Sequence, residues 1–269
     1  MTDPAGLGTL RARLRSLERV VVAFSGGADS AFLAWVANDE LGPNRCHAVT
    51  AVSPSLAPEE EADCKELATA WGLRWTPVVT DELDDPAYRR NDGDRCYRCK
   101  TELMEALQPL AEAEQATIVL GVNVDDLGDH RPGQRAAAER GAVFPLVDAG
   151  LTKDQIRAHS KLLGLRTWDK PAAACLASRV PYGTPVTLSV LTEVAAAESA
   201  LRALGLGQLR VRHYGDLARL EVDVDVLGEV VARRGEVVDA VRSAGYRYVT
   251  LDLEGFRSGN LNAALGDRR

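Results

Sequence analysis

Residues 20–30 read Val20-Val21-Val22-Ala23-Phe24-Ser25-Gly26-Gly27-Ala28-Asp29-Ser30. A valine-rich apolar run ended by glycine is the pattern of a buried parallel strand. The segment behind it, Ala31-Phe32-Leu33-Ala34-Trp35-Val36-Ala37, has the residue types and length of a helix start. The glycines therefore fall at a strand-to-helix turn, where backbone N–H groups and the helix N-terminus together hold an anion. Gly26 and Gly27 permit positive φ and close approach of the chain to a phosphate. Ser25 and Ser30 add hydroxyl donors. Asp29 has a place beside phosphate oxygens only if a Mg²⁺ ion or a substrate amine lies between them. A bare Gly-Gly turn would merely close a βα unit; the complete hexapeptide between strand and helix favours a nucleotide.

The chain has 269 residues, 46% hydrophobic and 26% charged, which suits a globular protein of one large domain or two smaller ones. No apolar stretch reaches membrane-span length, and Met1-Thr2-Asp3-Pro4 carries no signal-peptide core. Both point to a cytoplasmic protein without membrane contact. The net charge of −7 is uneven: residues 1–150 carry about −10 and residues 151–269 about +3. This acidic balance argues against nucleic acid as a partner, while the mildly basic second half suits a small anionic substrate. Five cysteines without an export signal argue against a disulfide framework. Cys46, on a predicted strand, and Cys64, on a predicted helix, read as packed residues. Cys96 and Cys99 form a C-x-x-C, and Cys175 stands alone.

Periodicity predicts a helix over 5–17 and strands at 46–52, 74–80 and 117–122. Further helices are expected from Pro58 and over 97–114, with a polar loop at 81–95. Alternating strands and helices imply an α/β fold with a doubly wound parallel sheet, whose ligands bind beyond the carboxyl ends of the strands. The loop at Ser25–Ser30 and the segment Asn123-Val124-Asp125-Asp126 lie at two such ends. Residues 1–168 form this first domain, and the proline-containing stretch 169–187 is a linker or active-site loop. Residues 188–269 form a smaller α+β domain, with helices at 188–204 and 226–243 and strands at 208–213, 217–222 and 246–252.

The hexapeptide lacks the Gly-Lys-Ser/Thr ending of a Walker A loop. It resembles the PP-loop of the ATP pyrophosphatases, which split ATP between the α and β phosphates. Three further motifs stand beside it. They are Cys96-Tyr97-Arg98-Cys99-Lys100, the stretch Gly121-Val122-Asn123-Val124-Asp125-Asp126-Leu127-Gly128-Asp129-His130-Arg131-Pro132-Gly133, and Lys170-Pro171-Ala172-Ala173-Ala174-Cys175-Leu176-Ala177-Ser178-Arg179. Together, and with Arg210–Glu221, they resemble the LarE family, the ATP-dependent sulfurtransferases that build the nickel-pincer nucleotide cofactor of lactate racemase. The resemblance covers nearly the whole chain.

It implies that ATP adenylates a carboxylate of pyridinium-3,5-biscarboxylic acid mononucleotide, releasing pyrophosphate, and that a sulfur nucleophile then displaces AMP to give a thiocarboxylate. Adenylation gives an unreactive carboxylate a good leaving group, and thiolate is the attacking form of sulfur. The resemblance makes Cys175 and Asp29 catalytic. It assigns ATP or AMP and Mg²⁺ to Ser25, Gly26, Gly27, Asp29, Ser30, Asn123, Asp126 and Arg131. Lys100, Asp125, Asp129, Glu198 and Glu221 match family positions. Arg210 and Arg212 alternate on a strand, so they share a face and suit the substrate's phosphate.

Two sulfur sources stay open. In one family branch Cys175 gives up its own sulfur and becomes dehydroalanine. In the other, Cys96, Cys99 and Cys175 hold a [4Fe–4S] cluster with one open iron. The second resemblance fits the C-x-x-C better, since zinc would want a fourth ligand and a plain thiol pair is the remaining reading. The acidic residues at 125–129 read either as ligands for Mg²⁺ or ribose, with Arg131 meeting a phosphate, or as a solvated turn. His130, His159 and His213 lack metal-ligand spacing. The resemblance also implies a closed homo-oligomer, a hexamer, working with partner enzymes of the same pathway. Competing functions are a PP-loop tRNA thiolase, which would need a basic RNA-binding surface, an amide-forming synthetase of the NAD or GMP type, which has no use for Cys175, and a non-enzymatic nucleotide sensor.

Overall fold

The computed structural model describes residues 6–128, 132–171 and 174–257. In chain order the elements are α1 (Leu7–Leu17), β1 (Val20–Ala23), α2 (Ala28–Leu41), β2 (Cys46–Val52), α3 (Pro58–Ala70) and β3 (Arg74–Val79). Then come α4 (Pro86–Arg89), α5 (Arg95–Glu114), β4 (Thr117–Leu120), α6 (Pro132–Glu139), α7 (Pro145–Asp148) and α8 (Lys153–Leu162). The last are α9 (Leu188–Ala203), β5 (Leu209–Tyr214), β6 (Leu217–Val222), α10 (Leu227–Ala232), α11 (Arg234–Ser243) and β7 (Tyr248–Leu251). The chain divides into two compact units, one of residues 1–53, 58–82 and 96–173, the other of 54–57, 83–95 and 174–269.

The first unit holds a four-stranded parallel sheet in the order β3-β2-β1-β4. β1 is bonded on both edges, Val20–Ala23 pairing with Cys46–Val49 on one side and Thr117–Leu120 on the other. Its side chains alternate between two cores. Val20 and Val22 join Leu10, Leu14, Phe32, Leu33 and Ile156, while Val21 joins Leu103, Met104 and Leu107. Both faces are thus covered by helices, which is why this strand is an unbroken apolar run rather than an alternating one. The expected doubly wound α/β fold is the observed one.

The second unit carries a three-stranded sheet, β5-β6-β7. β5 and β6 are antiparallel, with Arg210 opposite Glu221 and Arg212 opposite Arg219, and β7 runs parallel to β6. Its core gathers Ala197, Leu201, Val211, Ala218, Leu220, Val237 and Val241.

Several boundaries differ from expectation. The polar stretch 81–95 contains a 3₁₀ turn, Glu82–Asp84, and helix α4. The Asp85 side chain accepts from Ala87 N and Pro86 takes the first helical position, so Asp-Asp-Pro, read as a loop signal, is a helix start. Helix α5 begins two residues earlier than expected, at Arg95. β4 stops at Leu120, because Val122 N bonds Leu120 O and turns the chain away. The helix expected over 226–243 is two, α10 and α11, meeting at Arg233 with φ −97° and ψ 23°. Among the described residues, no helix is long and apolar enough to cross a membrane.

At the end of β4 the first unit has no spare room. A Cβ on Gly121 would lie 2.8 Å from both the N and the Cα of Ser30, at the start of α2. Backbone atoms cannot swing aside, so Gly121 sets how closely β4 approaches the loop. Gly121→Ala is expected to destabilise the protein by about 1–3 kcal/mol through overpacking. Thermal unfolding checks this, and an unchanged midpoint would contradict it.

Candidate active site

The loop after β1 is closed by its own serines. Ser30 Oγ donates to Gly27 O (3.1 Å), accepts from Ser25 N (3.2 Å) and lies 3.0 Å from Ser25 Oγ. Gly26 has φ +67°, the left-handed region, and a Cβ there would sit 2.9 Å from Cys64 Sγ. Gly26 therefore has both a conformational and a steric reason to be glycine. Gly27 does not adopt positive φ as expected: it is extended, at φ −72° and ψ 160°, in the N-cap position of α2. A Cβ built on Gly27 would meet only Ser25 Oγ, at 3.6 Å.

Asp29 sits in the first turn of α2, where the helix dipole favours a carboxylate. Its Oδ2 accepts from Lys153 Nζ at 2.8 Å, whereas Oδ1 is buried with no partner among the described residues. Lys153 opens α8 behind a capping box of Thr152 and Gln155, and its backbone N–H donates to Asp125 Oδ2 at 2.8 Å. Asp125 N donates in turn to Asn123 Oδ1, and Asn123 N to Asp126 Oδ2. Asn123 is fully buried, yet its Nδ2 has no partner among the described residues. An orphan acceptor on Asp29 and an orphan donor on Asn123 are what a cation and a nucleotide group respectively would satisfy. Asp129 and Arg131 lie outside the described residues, as does His130.

Behind the loop, Lys170 Nζ donates to Asp63 (2.6 Å) and Glu60 (2.7 Å) and comes within 3.7 Å of where a Gly26 Cβ would be. Burial alone would lower its pKa, but the bonds to Asp63 and Glu60 outweigh this and hold the ammonium above its usual range. Cys64, beside it, is an inert thiol that burial pushes up to about 11; Cys46, likewise, reaches about 12. Both cysteines are packed residues, as expected. His159 stacks on Phe32, and His213 bonds the Tyr246 hydroxyl.

Cys96 is exposed and Cys99 half-buried in the first turn of α5. Gly133 packs against this turn, since a Cβ there would lie 2.8 Å from Lys100 Cγ and 3.0 Å from Cys96 O. Among the described residues, no three His, Cys, Asp or Glu side chains are grouped so as to hold a metal ion.

In the second unit Cys175 is exposed, at the N-cap of the 3₁₀ turn Leu176–Arg179. Arg179 bends back so that its Nη1 donates to Ala174 O (2.6 Å) and Cys175 O (3.3 Å). The rest of that guanidinium grips Glu198 bidentately, at 2.8 and 3.0 Å. Glu198 also accepts from Arg202 and from Val211 N. Arg212 donates to Ser178 O and to Glu221, which Arg219 also contacts. Glu198 and Glu221, which match family positions, are fully buried, and these arginines are among their partners.

Arg210 lies in the same cluster, 4.5 Å over the Phe256 ring. Burial, then Arg179 and Arg212, pull its pKa down to about 10. Arg212 Nε is buried with no partner among the described residues. Among the described residues, Arg179 and Arg202 pair with Glu198, Arg212 and Arg219 pair with Glu221, and Arg219 also approaches Asp252.

Reading the sequence alone misses Lys153, Lys170 and the turn-holding role of Arg179. The Thr-x-x-Gln box at 152–155 is a helix-start signal that would have placed Lys153 at a helix N-terminus. Its partner Asp29 is 124 residues away.

Residues 10–88 match the NAD synthase family model. The chain is 47% identical over 262 residues to an uncharacterised protein of Synechocystis, covering 96% of this chain and 97% of that one. It is 39% identical over 258 residues to the pyridinium-3,5-bisthiocarboxylic acid mononucleotide synthase of Lactiplantibacillus plantarum, covering 96% and 94%. An uncharacterised protein of Methanocaldococcus jannaschii is 27% identical over 242 residues, covering 90% and 92%.

Glu198→Gln would leave Arg179 and Arg202 without their buried counter-charge. The expected cost is about 3 kcal/mol of stability, read from denaturant unfolding. A loss below about 1 kcal/mol, the range of exposed pairs, would show that this carboxylate does not hold the cluster together.

Proposed function

The chain belongs to the family of pyridinium-3,5-bisthiocarboxylic acid mononucleotide synthases, and from that premise we propose that it is an ATP-dependent sulfurtransferase acting on a carboxylate of pyridinium-3,5-biscarboxylic acid mononucleotide. The match to NAD synthase covers residues 10–88, which include the loop at Ser25–Ser30, and carboxylate adenylation is common to both chemistries. The observation that separates sulfur transfer from amide formation is Cys175, an exposed thiol on a turn whose carbonyls are fixed by guanidinium groups.

In the proposed reaction a substrate carboxylate oxygen attacks the α-phosphorus of ATP and pyrophosphate leaves. Ser25, Gly26, Gly27, Ser30 and the N-terminus of α2 hold the phosphates. Asp29 is the residue that would hold a Mg²⁺ ion, which would neutralise charge on the departing pyrophosphate when bound. Asn123, Asp126 and Arg131 are assigned to the nucleotide, and Arg210 and Arg212 to the substrate phosphate. Lys100, Asp125 and Asp129 complete the family-matched set. The Cys175 sulfur attacks the acyl carbon and AMP leaves. Loss of the Cys175 Cα proton and cleavage of its Cβ–S bond then give the thiocarboxylate and dehydroalanine. Residues 1–168 carry the adenylation step and 188–269 the substrate phosphate, with Cys175 on the segment 169–187 that joins them.

A second reading rests on the accessibility of Cys96 and Cys99 in one helical turn. With Cys175 they would hold a [4Fe–4S] cluster, which would supply the sulfur in place of the Cys175 side chain. Iron content and visible absorbance of anaerobically purified protein decide this reading: a [4Fe–4S] absorbance supports it, and iron-free, colourless protein contradicts it. We also infer a closed homo-oligomer, a hexamer, which light scattering would contradict by reporting a monomer.

Asp29→Ala is expected to lower substrate-dependent pyrophosphate release by about 100-fold or more, the scale for removing one charge-stabilising group. Release at the wild-type rate would overturn the assignment of the loop.

A further inference from the structure

The segment 89–95, read from sequence as an unstructured polar loop, is tightly bonded to the chain that follows Cys175. Asn91 is fully buried and adopts φ +59°, a conformation that asparagine tolerates better than most residues. Its Nδ2 lies within bonding distance of three carbonyls: Pro181 O (2.8 Å), Thr184 O (2.9 Å) and Val180 O (3.3 Å). Its own carbonyl accepts from Gly183 N, and Arg89 O accepts from Val186 N. Asn91 Oδ1 accepts from Arg95 Nη1, and the same Nη1 donates to Ala177 O at 2.8 Å. The Arg95 guanidinium is buried and lies 5.5 Å over the Tyr182 ring.

The Cys175 turn is thus held at successive peptides. Arg179 takes the carbonyls of Ala174 and Cys175, Ser55 O takes the Leu176 N–H, Arg95 takes the Ala177 carbonyl, and Arg212 takes that of Ser178. Surface turns ordinarily leave such groups to water. Here three buried guanidinium groups replace it, while the Cys175 side chain stays exposed. Fixing the backbone under a free nucleophile is how a reactive group is pre-oriented, with its ordering entropy already spent on folding.

We infer that Asn91 and Arg95 are positioning residues for sulfur transfer, clamping the Cys175 turn so that its thiol is presented in one geometry. Neither belongs to the nucleotide loop, so the clamp serves the second half-reaction and not the first. The inference rests on the reading of Cys175 as the sulfur-bearing residue.

The test uses the full-length chain and the variants Arg95→Met, Arg95→Lys and Asn91→Ala under single-turnover conditions, with ATP and the biscarboxylate mononucleotide. Substrate-dependent pyrophosphate release reads adenylation, mass spectrometry of the product reads thiocarboxylate, and thermal unfolding reads stability. In Arg95→Met the thiocarboxylate yield rate is expected to fall by about 10- to 100-fold, the range for losing one hydrogen bond to a charged group. Pyrophosphate release should stay within about two-fold of wild type, since adenylation does not use the clamp. Arg95→Lys should recover part of the loss, because an ammonium still donates to Ala177 O. Equal loss of both half-reactions, or undiminished sulfur transfer, would overturn the inference.

Hydrogen exchange reads the clamp without any chemistry. Amides of 174–186 should exchange at least about ten-fold faster in Asn91→Ala and Arg95→Met, while those of α9 keep wild-type protection. Unchanged exchange over 174–186 would overturn the clamp itself. Wild-type protein that releases no pyrophosphate with this substrate would instead refute the proposed reaction and leave the exchange result to judge the clamp.

Discussion

A carboxylate with no access to water has to be surrounded by donors, and the second unit is arranged around that requirement at Glu198. Its donors come from three directions: Arg179 on the Cys175 turn, Arg202 one helical turn along α9, and the backbone of Val211 on β5. One acidic side chain therefore joins a helix, a strand and the Cys175 turn. Glu221 repeats the device one strand over, with Arg212 and Arg219. Replacing such pairs by apolar residues can be neutral for stability in other proteins, so stability alone does not account for them. What the pairs also do is hold Arg179 and Arg212 where they reach the carbonyls of the Cys175 turn.

The first unit meets a different constraint, which is space. Gly26 is pressed against Cys64 and Gly121 against the backbone of Ser30. The turn at Ser25–Ser30 is therefore shaped by packing from both sides as well as by its own hydrogen bonds. Within this tight frame two polar atoms stay unsatisfied among the described residues, Asp29 Oδ1 and Asn123 Nδ2. Buried polar atoms are rarely left so, and both lie where a doubly wound sheet binds its ligands, beyond the ends of β1 and β4. Lys153 holds the other oxygen of Asp29.

Sequence made the central strand, the loop and the helix behind it legible because they are local: an apolar run, two glycines and a helix start lie within eighteen residues. The arginine alternation on β5 was equally local. What escaped was pairing over distance. Nothing near Asp29 announces Lys153, and nothing near Cys175 announces Asn91, whose Asn-Asp-Gly context reads as a plain turn. The burial of Arg210 and Arg212 was hidden as well, since alternating charge on a strand is the mark of an exposed face until Glu198 and Glu221 are seen beneath it. The single helix expected over 226–243 failed for a related reason. Its apolar spacing continues through Arg233, but that residue's guanidinium bonds both Glu229 and Glu236 at the point where the helix breaks.

Two half-reactions share one chain in the proposed function, adenylation of a carboxylate and its conversion to a thiocarboxylate. The most direct measurement is the stoichiometry of a single turnover with ATP and pyridinium-3,5-biscarboxylic acid mononucleotide, supplied without ammonia. AMP, pyrophosphate and thiocarboxylate are expected in equal amounts. AMP and pyrophosphate formed without any thiocarboxylate would contradict the proposed function.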